Sequence, residues 1–229
     1  MTMKNTETAD TSAWVAAGVR HAVLSRTMPA LRHDLAGSVS VLRMGVAVIK
    51  RRLELSEGSA VERDGLMQRV DALDSGIGDL GAGLRRLRHW DKPTSEALNA
   101  HSLVAEIWEL ARPFLSLRGI ETEPLPEDAP WPTLSLPPQP LTYLLLAGIY
   151  HLAEGAGSAA QRIAVTPEEN GIRVSGTPGR PGAGIPEAAG AKSQLGTPPI
   201  DRFRLQCLAD QLQGRISFTG DHSLLLHWG

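Results

Sequence analysis

Cysteine, aromatic residues, net charge and long apolar runs are all scarce in this chain, and each shortage closes off a class of protein. The one cysteine, Cys207, excludes an intrachain disulfide framework and a cysteine-ligated metal cluster, and points to a reducing compartment. A formal net charge of −2 over 229 residues provides no electrostatic footprint for DNA or RNA. No apolar run approaches the roughly 20 residues that cross a bilayer, and the polar start from Met1 to Ser12 has no apolar signal-peptide core. The chain is therefore expected to be cytoplasmic, with no nucleic-acid and no membrane partner, and with Met1 to Ser12 as a disordered tail. Aromatics make up only 4%, yet 42% hydrophobic and 21% charged residues are the balance of a globular protein with a real core. The length accommodates one large or two ordinary domains.

Against that background the segment Leu31-Arg32-His33-Asp34-Leu35 stands out. Leu35, Val39, Leu42, Val46, Ile49 and Leu53 recur at steps of four and three residues, the pattern of a helix that buries one stripe. His33 precedes Leu35 by two positions, roughly 200° around the helix at about 100° per residue, so its imidazole is expected to face water. An exposed imidazole beside a carboxylate offers one ring nitrogen for attack on phosphorus and an acid to orient the ring or take its proton. The same dipeptide arises by chance on many helix surfaces, where it is only solvated polar surface, and its surroundings decide between the two readings.

Those surroundings are helical. Ala13 to Ser25 reads as a short helix with Trp14, Val15, Val19 and Ala22 on one side. Thr27 with Pro29 reads as the start of the next helix, because proline in a first turn gives up an N–H that has no partner there. That helix is expected to run to about Leu55 and to end in the turn Ser56-Glu57-Gly58-Ser59. The second helix carries Leu66, Val70, Leu73, Ile77, Leu80, Leu84 and Leu87 in unbroken steps of four and three, a sustained heptad seam. Glycines at 65, 76, 78, 81 and 83 lower its intrinsic helicity by about 1 kcal/mol each, so packing must hold it. Two such helices joined by a short turn form an antiparallel hairpin that cannot bury both stripes alone, and pairing with a second copy into a four-helix bundle is the expected solution: a homodimer.

Trp90-Asp91-Lys92-Pro93 reads as a linker to a second domain. Beyond it the pattern predicts a helix over 101–117, short strands near Glu121-Thr122 and Thr133-Ser135, and an apolar helix from Pro140 to about Glu154. Strands follow at Arg162-Val165 and Gly171-Val174 around an Asn170-Gly171 turn. A Gly/Pro-rich loop then spans 176–199, a helix spans 200–213, and a last hairpin is made of Arg215-Phe218 and Ser223-Trp228. This is an α+β chain in three parts: 1–26, a flexible tail and short helix; 27–92, the dimerising hairpin; 93–229, helices on one face of a mainly antiparallel sheet.

The order of these parts resembles the two-domain core of sensor histidine kinases, in which a dimerising hairpin bears a phospho-accepting histidine and a Bergerat-type ATP-binding α/β sandwich follows. The resemblance covers about residues 27 to 228. The family's H-box opening, His-Asp/Glu-Leu, is matched by His33-Asp34-Leu35, and Gly214-Arg215-Ile216-Ser217 is similar to the family's helix end and final hairpin. The departures concern the nucleotide. Where the family's apolar helix carries asparagine ligands for magnesium, Leu144 to Glu154 has none, and Gly148, His151 and Glu154 stand in that neighbourhood. Where the family has an adenine-contacting aspartate, Ser175 to Gly179 has no acid. Pro198 and Pro199 follow Leu195-Gly196-Thr197 where a phosphate cradle needs backbone N–H groups. Gly182-Ala183-Gly184 reads as loop.

Loss of the metal ligand, the adenine acceptor and the phosphate amides removes several interactions of about 1 to 3 kcal/mol each, so ATP is expected to bind poorly or not at all. The resemblance then implies a histidine phosphotransferase with a degenerate ATPase-like domain. His33 is its nucleophile, Asp34 orients or deprotonates the ring, and Arg32 offsets phosphate charge. The partners are response-regulator receiver domains, which supply the magnesium; no cofactor or metal of the chain's own is implied. The serine at position 38 stands where active kinases commonly have proline. Gly37 stands where a polar residue usually supports phosphatase activity. Two other readings stay open: a non-catalytic dimeric adaptor of such a pathway, and an active kinase with unusual nucleotide boxes. Arg43, Lys50, Arg51, Arg52, Arg85, Arg86 and Arg88 are solvated surface or aids that steer an acidic receiver. His21, His89, His101, His151, His222 and His227 lack metal-ligand spacing.

Overall fold

The computed structural model describes residues 3–55, 63–91, 98–134, 138–154, 160–178 and 197–227. It is α+β. Helices α1 (Met3–Leu55) and α2 (Arg63–Asp91) are followed by β1 (Leu98–Asn99), α3 (Ala100–Leu117), β2 (Glu121–Thr122), β3 (Thr133–Leu134) and α4 (Pro138–Glu154). Then come β4 (Ala160–Glu168), β5 (Gly171–Pro178), α5 (Arg202–Gln211), β6 (Arg215–Phe218) and β7 (Ser223–His227). The chain divides into two compact units, one of residues 29–91 and the other of 1–28 together with 92–229.

A short helix over 13–25, a separate helix start at Thr27-Pro29 and a disordered start are all replaced by one helix of 53 residues with Pro29 inside it. Thr27 caps nothing: its hydroxyl donates back to the Val23 carbonyl (2.9 Å). Proline at position 29 removes the N–H that would bond the Ser25 carbonyl, a disruption of about 3 kcal/mol. Burial on both sides outweighs it, because Ala16, Val19, Ala22, Val23 and Thr27 before the proline and Leu31 after it are 0–4% exposed. Tertiary packing overrides the local start signal.

In the unit of residues 29–91 the two helices are antiparallel, since the α1 partner number rises as the α2 number falls. Leu35 meets Gly83, Leu42 meets Gly76 and Gly45 meets Leu73. Each glycine receives the end of a leucine from the opposite helix, which is the packing that holds a glycine-rich α2 in helical form.

In the other unit, a five-stranded sheet has the order β2-β4-β5-β7-β6, with β2 parallel to β4 and the remaining pairs antiparallel. Val165, Val174 and Leu224 lie side by side across three strands, as do Ile172 and Leu226 across two, and all are buried. Gly148 of α4 sits against Leu224 of this row. The α4 sequence is apolar on every side because both its flanks are covered, by the sheet beneath and by helices above. Above it, Arg20 of α1 lies over Tyr143 and Thr27 meets Tyr150. The two contacts are seven residues apart on each helix, so the start of α1 runs parallel to α4. Phe114 of α3 and Arg118, which caps that helix, meet Tyr150 and Glu154, four apart on each, so α3 runs the same way.

The strands at Arg215–Phe218 and at 223–227 and the helices over 100–117 and 138–154 fall where the sequence pattern puts them, within one or two residues at the ends. The expected loop begins later, because β5 continues through Gly176 to Pro178. The glycine there is structural, since its missing Cβ would stand 2.8 Å from that of Ala160. Strand β3 falls at the expected Thr133-Leu134, but its antiparallel partner β1 has no counterpart in the sequence reading. Gly182-Ala183-Gly184 and Ser56 to Ser59 lie outside the described residues.

Candidate functional site

The histidine singled out from sequence is placed on the outside of the hairpin. Leu35 is half-buried against Gly83, where a Cβ on the glycine would stand 2.7 Å from Leu35 Cδ2, and Leu31 is 4% exposed. Both leucines point inward from one face, and His33 between them is exposed, as the helical period requires. Arg32 beside it is exposed as well. Asp34 lies in the same helical turn, with its side chain outside the described residues. One turn on, Gly37 is exposed with no atom within 4 Å of where a Cβ would be. Water, or a visiting protein, can reach the His33 side of α1.

Each hairpin helix carries two heptad rows with different fates. Leu35, Leu42 and Ile49 on α1 and Leu66, Leu73 and Leu80 on α2 are half-buried between the two helices. Val39, Val46, Leu53, Val70, Ile77 and Leu84 are 40–58% exposed. The second row lies roughly 40° further round each helix than the first. In antiparallel helices equal turns of this kind bring both exposed rows to the same side, so the hairpin presents one continuous apolar face. The Leu87 side chain, which the seam also includes, lies outside the described residues.

In the other unit, the neighbourhood the sequence marks for lost magnesium ligands is occupied by an ion cluster. Glu154, at the end of α4, accepts from Arg26 Nε (3.0 Å) and Nη2 (2.6 Å) and from Arg118 Nη2 (3.2 Å). Arg26 and Glu154 are 9% and 16% exposed. Arg118 stacks 3.6 Å above the Phe114 ring, and burial lowers its guanidinium pKa against the pull of Glu154. Two cations meet one carboxylate, and the carbonyl ends of α3 and α4, each worth about half a negative charge, balance the excess. Tyr150 beneath them is fully buried and donates to Thr27 Oγ1 at 2.8 Å; burial raises its phenol above the ordinary tyrosine value.

In the segment 198–200, which the sequence comparison marked for a phosphate cradle, the carbonyls are taken by side-chain donors. Pro198 O accepts from Arg26, Pro199 O from Arg204, and Ile200 O from His151 Nδ1 at 2.7 Å. Ser175, Gly176 and Thr177 lie within β5, and the Gly176 N–H is spent on the His222 carbonyl. Among the described residues no three His, Cys, Asp or Glu side chains converge as metal ligands. Sequence reasoning passed over Arg26, Arg118 and Tyr150 because nothing local marks them, and it marked Thr27 only as a helix start. Arg26 and Glu154 are 128 positions apart, and only the docked start of α1 joins them.

No family model matches the chain, and no curated protein sequence matches it. Among solved structures it is similar to the histidine kinase AdeS of Acinetobacter baumannii, at 14% identity over 81% of this chain and 93% of that one, with a TM-score of 0.37. It is similar to a histidine kinase from Burkholderia phymatum STM815, at 13% identity over 86% and 95% with a TM-score of 0.39. A bacterial phosphotransferase gives 17% identity over 90% and 94% with a TM-score of 0.32. At these identities and scores, neither the family nor the activity of this chain follows from the similarity. Its own residues carry the functional reading.

Proposed function

We propose that the chain is a histidine phosphotransferase of a two-component phosphorelay, which carries a phosphoryl group on His33 between receiver-domain aspartates without using ATP. The observation that carries this reading is the exposed imidazole of His33 on the face of a helical hairpin opposite its packed leucines. In the forward step a ring nitrogen of neutral His33 attacks the phosphorus of a receiver's aspartyl phosphate. The N–P bond forms as the P–O bond to the aspartate breaks, and the aspartate leaves with the electron pair as a carboxylate. The proton on the other ring nitrogen passes to Asp34 or to water, and the reverse sequence returns the phosphoryl group to a second receiver. Magnesium held by the receiver offsets charge on the transferring group. Arg32 adds a second positive charge beside the nucleophile, so positioning and charge stabilisation are all the reaction asks of this chain.

The Arg26–Glu154–Arg118 cluster and the acceptor carbonyls of 198–200 support independence from ATP, since both spend on internal bonds the positions a nucleotide and its metal would use. The working form is a homodimer in this reading. A second copy is the occupant that fits the apolar face of the hairpin, because Arg43 and Lys50 border it on α1 and Asp74 borders it on α2, bringing opposite charges together across a self-pairing interface.

The test is a transfer assay with phosphorylated receiver domains from the same cell. Wild-type protein gains acid-labile, base-stable phosphate and His33→Ala gains none. If no receiver passes phosphate to the wild type while receivers still bind it, the adaptor reading replaces this one. Label acquired from ATP alone would make the chain a kinase.

A further inference from the structure

Three close glycine–leucine contacts tie the hairpin together, and one of them lies beside the histidine. A Cβ on Gly83 would stand 2.7 Å from Leu35 Cδ2, one on Gly76 3.0 Å from Leu42 Cδ2, and one on Gly45 2.6 Å from Leu73 Cδ2. Leu35 is two residues from His33. Gly45 is twelve residues away along α1, about 18 Å at about 1.5 Å per residue. The rotation of a helix about its own axis is set by the side chains it locks into its neighbour, and the nearest such lock to His33 whose partner is defined is Leu35 in the gap left by Gly83.

We infer that Leu35 and Gly83 are positioning residues for His33: the leucine seated against the glycine fixes the turn of α1 and so the direction in which the imidazole faces an incoming phosphoryl group. The inference rests on the phosphotransfer reading above. The magnitudes are sufficient for the role. Carbon atoms rest about 3.5–4.0 Å apart, so filling the Gly83 gap moves Leu35 Cδ2 by about 1 Å, and a branched valine, larger than one methyl, passes that movement to the helix once the leucine side chain can give no further. A misplacement of about 1 Å at a transfer site costs on the order of 100-fold in rate. Gly45 provides a matched control, since its gap is as tight and its distance from the imidazole much greater.

The experiment compares Gly83→Val, Gly45→Val and the volume-conserving pair Leu35→Ala/Gly83→Val in the full chain, using phosphorylated receiver domain as donor. Gly83→Val is expected to slow transfer to His33 by about 10- to 100-fold with the half-saturating receiver concentration unchanged. Gly45→Val is expected to lower the unfolding temperature as much yet keep transfer within about threefold, and the Leu35→Ala/Gly83→Val pair to regain most of the lost rate. Equal slowing by Gly83→Val and Gly45→Val, or a wild-type rate in Gly83→Val, overturns the inference. If Gly83→Val does not fold, the folded pair is compared with Leu35→Ala alone; a pair no faster than that single variant overturns it too. Should the wild type accept phosphate from no receiver, the phosphotransfer reading fails separately, and the positioning claim is read from the His33 ring resonances by NMR. These shift in Gly83→Val and hold in Gly45→Val if Leu35 sets the ring, and hold in both if it does not.

Discussion

The hairpin and the α+β globule are both rich in leucine and alanine, yet they bury their apolar side chains in different ways. In the globule Leu145, Leu146, Ile149, Ile163, Ile172, Leu205, Leu208 and Leu224 are entirely enclosed, with α4 covered by the sheet on one side and by α3 and the start of α1 on the other. In the hairpin the inner row is only half-buried and the outer row stays 40–58% exposed. Two helices give each other one face of cover, whereas a sheet with helices above it closes a core. A globule that satisfies itself can hold its shape alone. A hairpin with an open apolar row is suited to meeting other protein, on that row and on the His33 face.

The largest test of this contrast is removal of residues 1–28. The globule should lose on the order of 5 kcal/mol, the burial of Val19, Val23 and their neighbours together with the bonds of Arg26 and Thr27, and urea unfolding of the shortened chain should show little or no cooperative transition. Next, Ile77→Asp places a charge in the exposed row of the hairpin. Light scattering should show a dimer becoming a monomer while near-UV dichroism of the globule is retained; an unchanged mass would remove that row from any self-association.

Within the globule, Arg26→Met leaves Glu154 mostly buried with only Arg118 for a partner, and should cost about 2–3 kcal/mol in denaturant unfolding. Arg26→Met with Glu154→Leu should recover most of that, because an apolar pair of similar size needs no desolvation. Tyr150 provides a pH test. Its pKa is higher folded than unfolded, so its contribution is complete below about 10 and is lost as the pH rises toward the folded value. Stability should therefore fall in alkali, and Tyr150→Phe should flatten that fall while costing about 1 kcal/mol at neutral pH through the lost bond to Thr27. The smallest effect is a gain. Gly37→Ala adds a methyl to open space on an exposed helix and should raise stability by about 1 kcal/mol in thermal unfolding, opposite in sign to a filled Gly83 gap.

How much of this was legible beforehand follows from what each feature depends on. The heptads of α2, the hairpin signalled by Asn170-Gly171, though its turn residues are Glu169 and Asn170, and the exposed position of His33 are periodic or local, and spacing and turn residues place them. Thr27-Pro29 misled because its residues form a good helix start considered in isolation. The preference lost to the burial of Val19, Ala22, Val23 and Leu31 on either side of the proline. The absence of asparagine from Leu144 to Glu154 could be read directly from the sequence, but not the arginine that holds Glu154, because Arg26 reaches that carboxylate only through a helix that the local pattern ends too early.

By itself, then, the sequence determined the helical stripes, the strand order along the chain and the surface position of one histidine, since these follow from residue spacing and the fixed pitch of helix and strand. Only the tertiary structure decided that the first 28 residues complete the C-terminal globule, that α1 runs through its proline and that Glu154 is held by two arginines. Those outcomes turn on burial and charge pairing between segments more than a hundred positions apart, where no local spacing carries information.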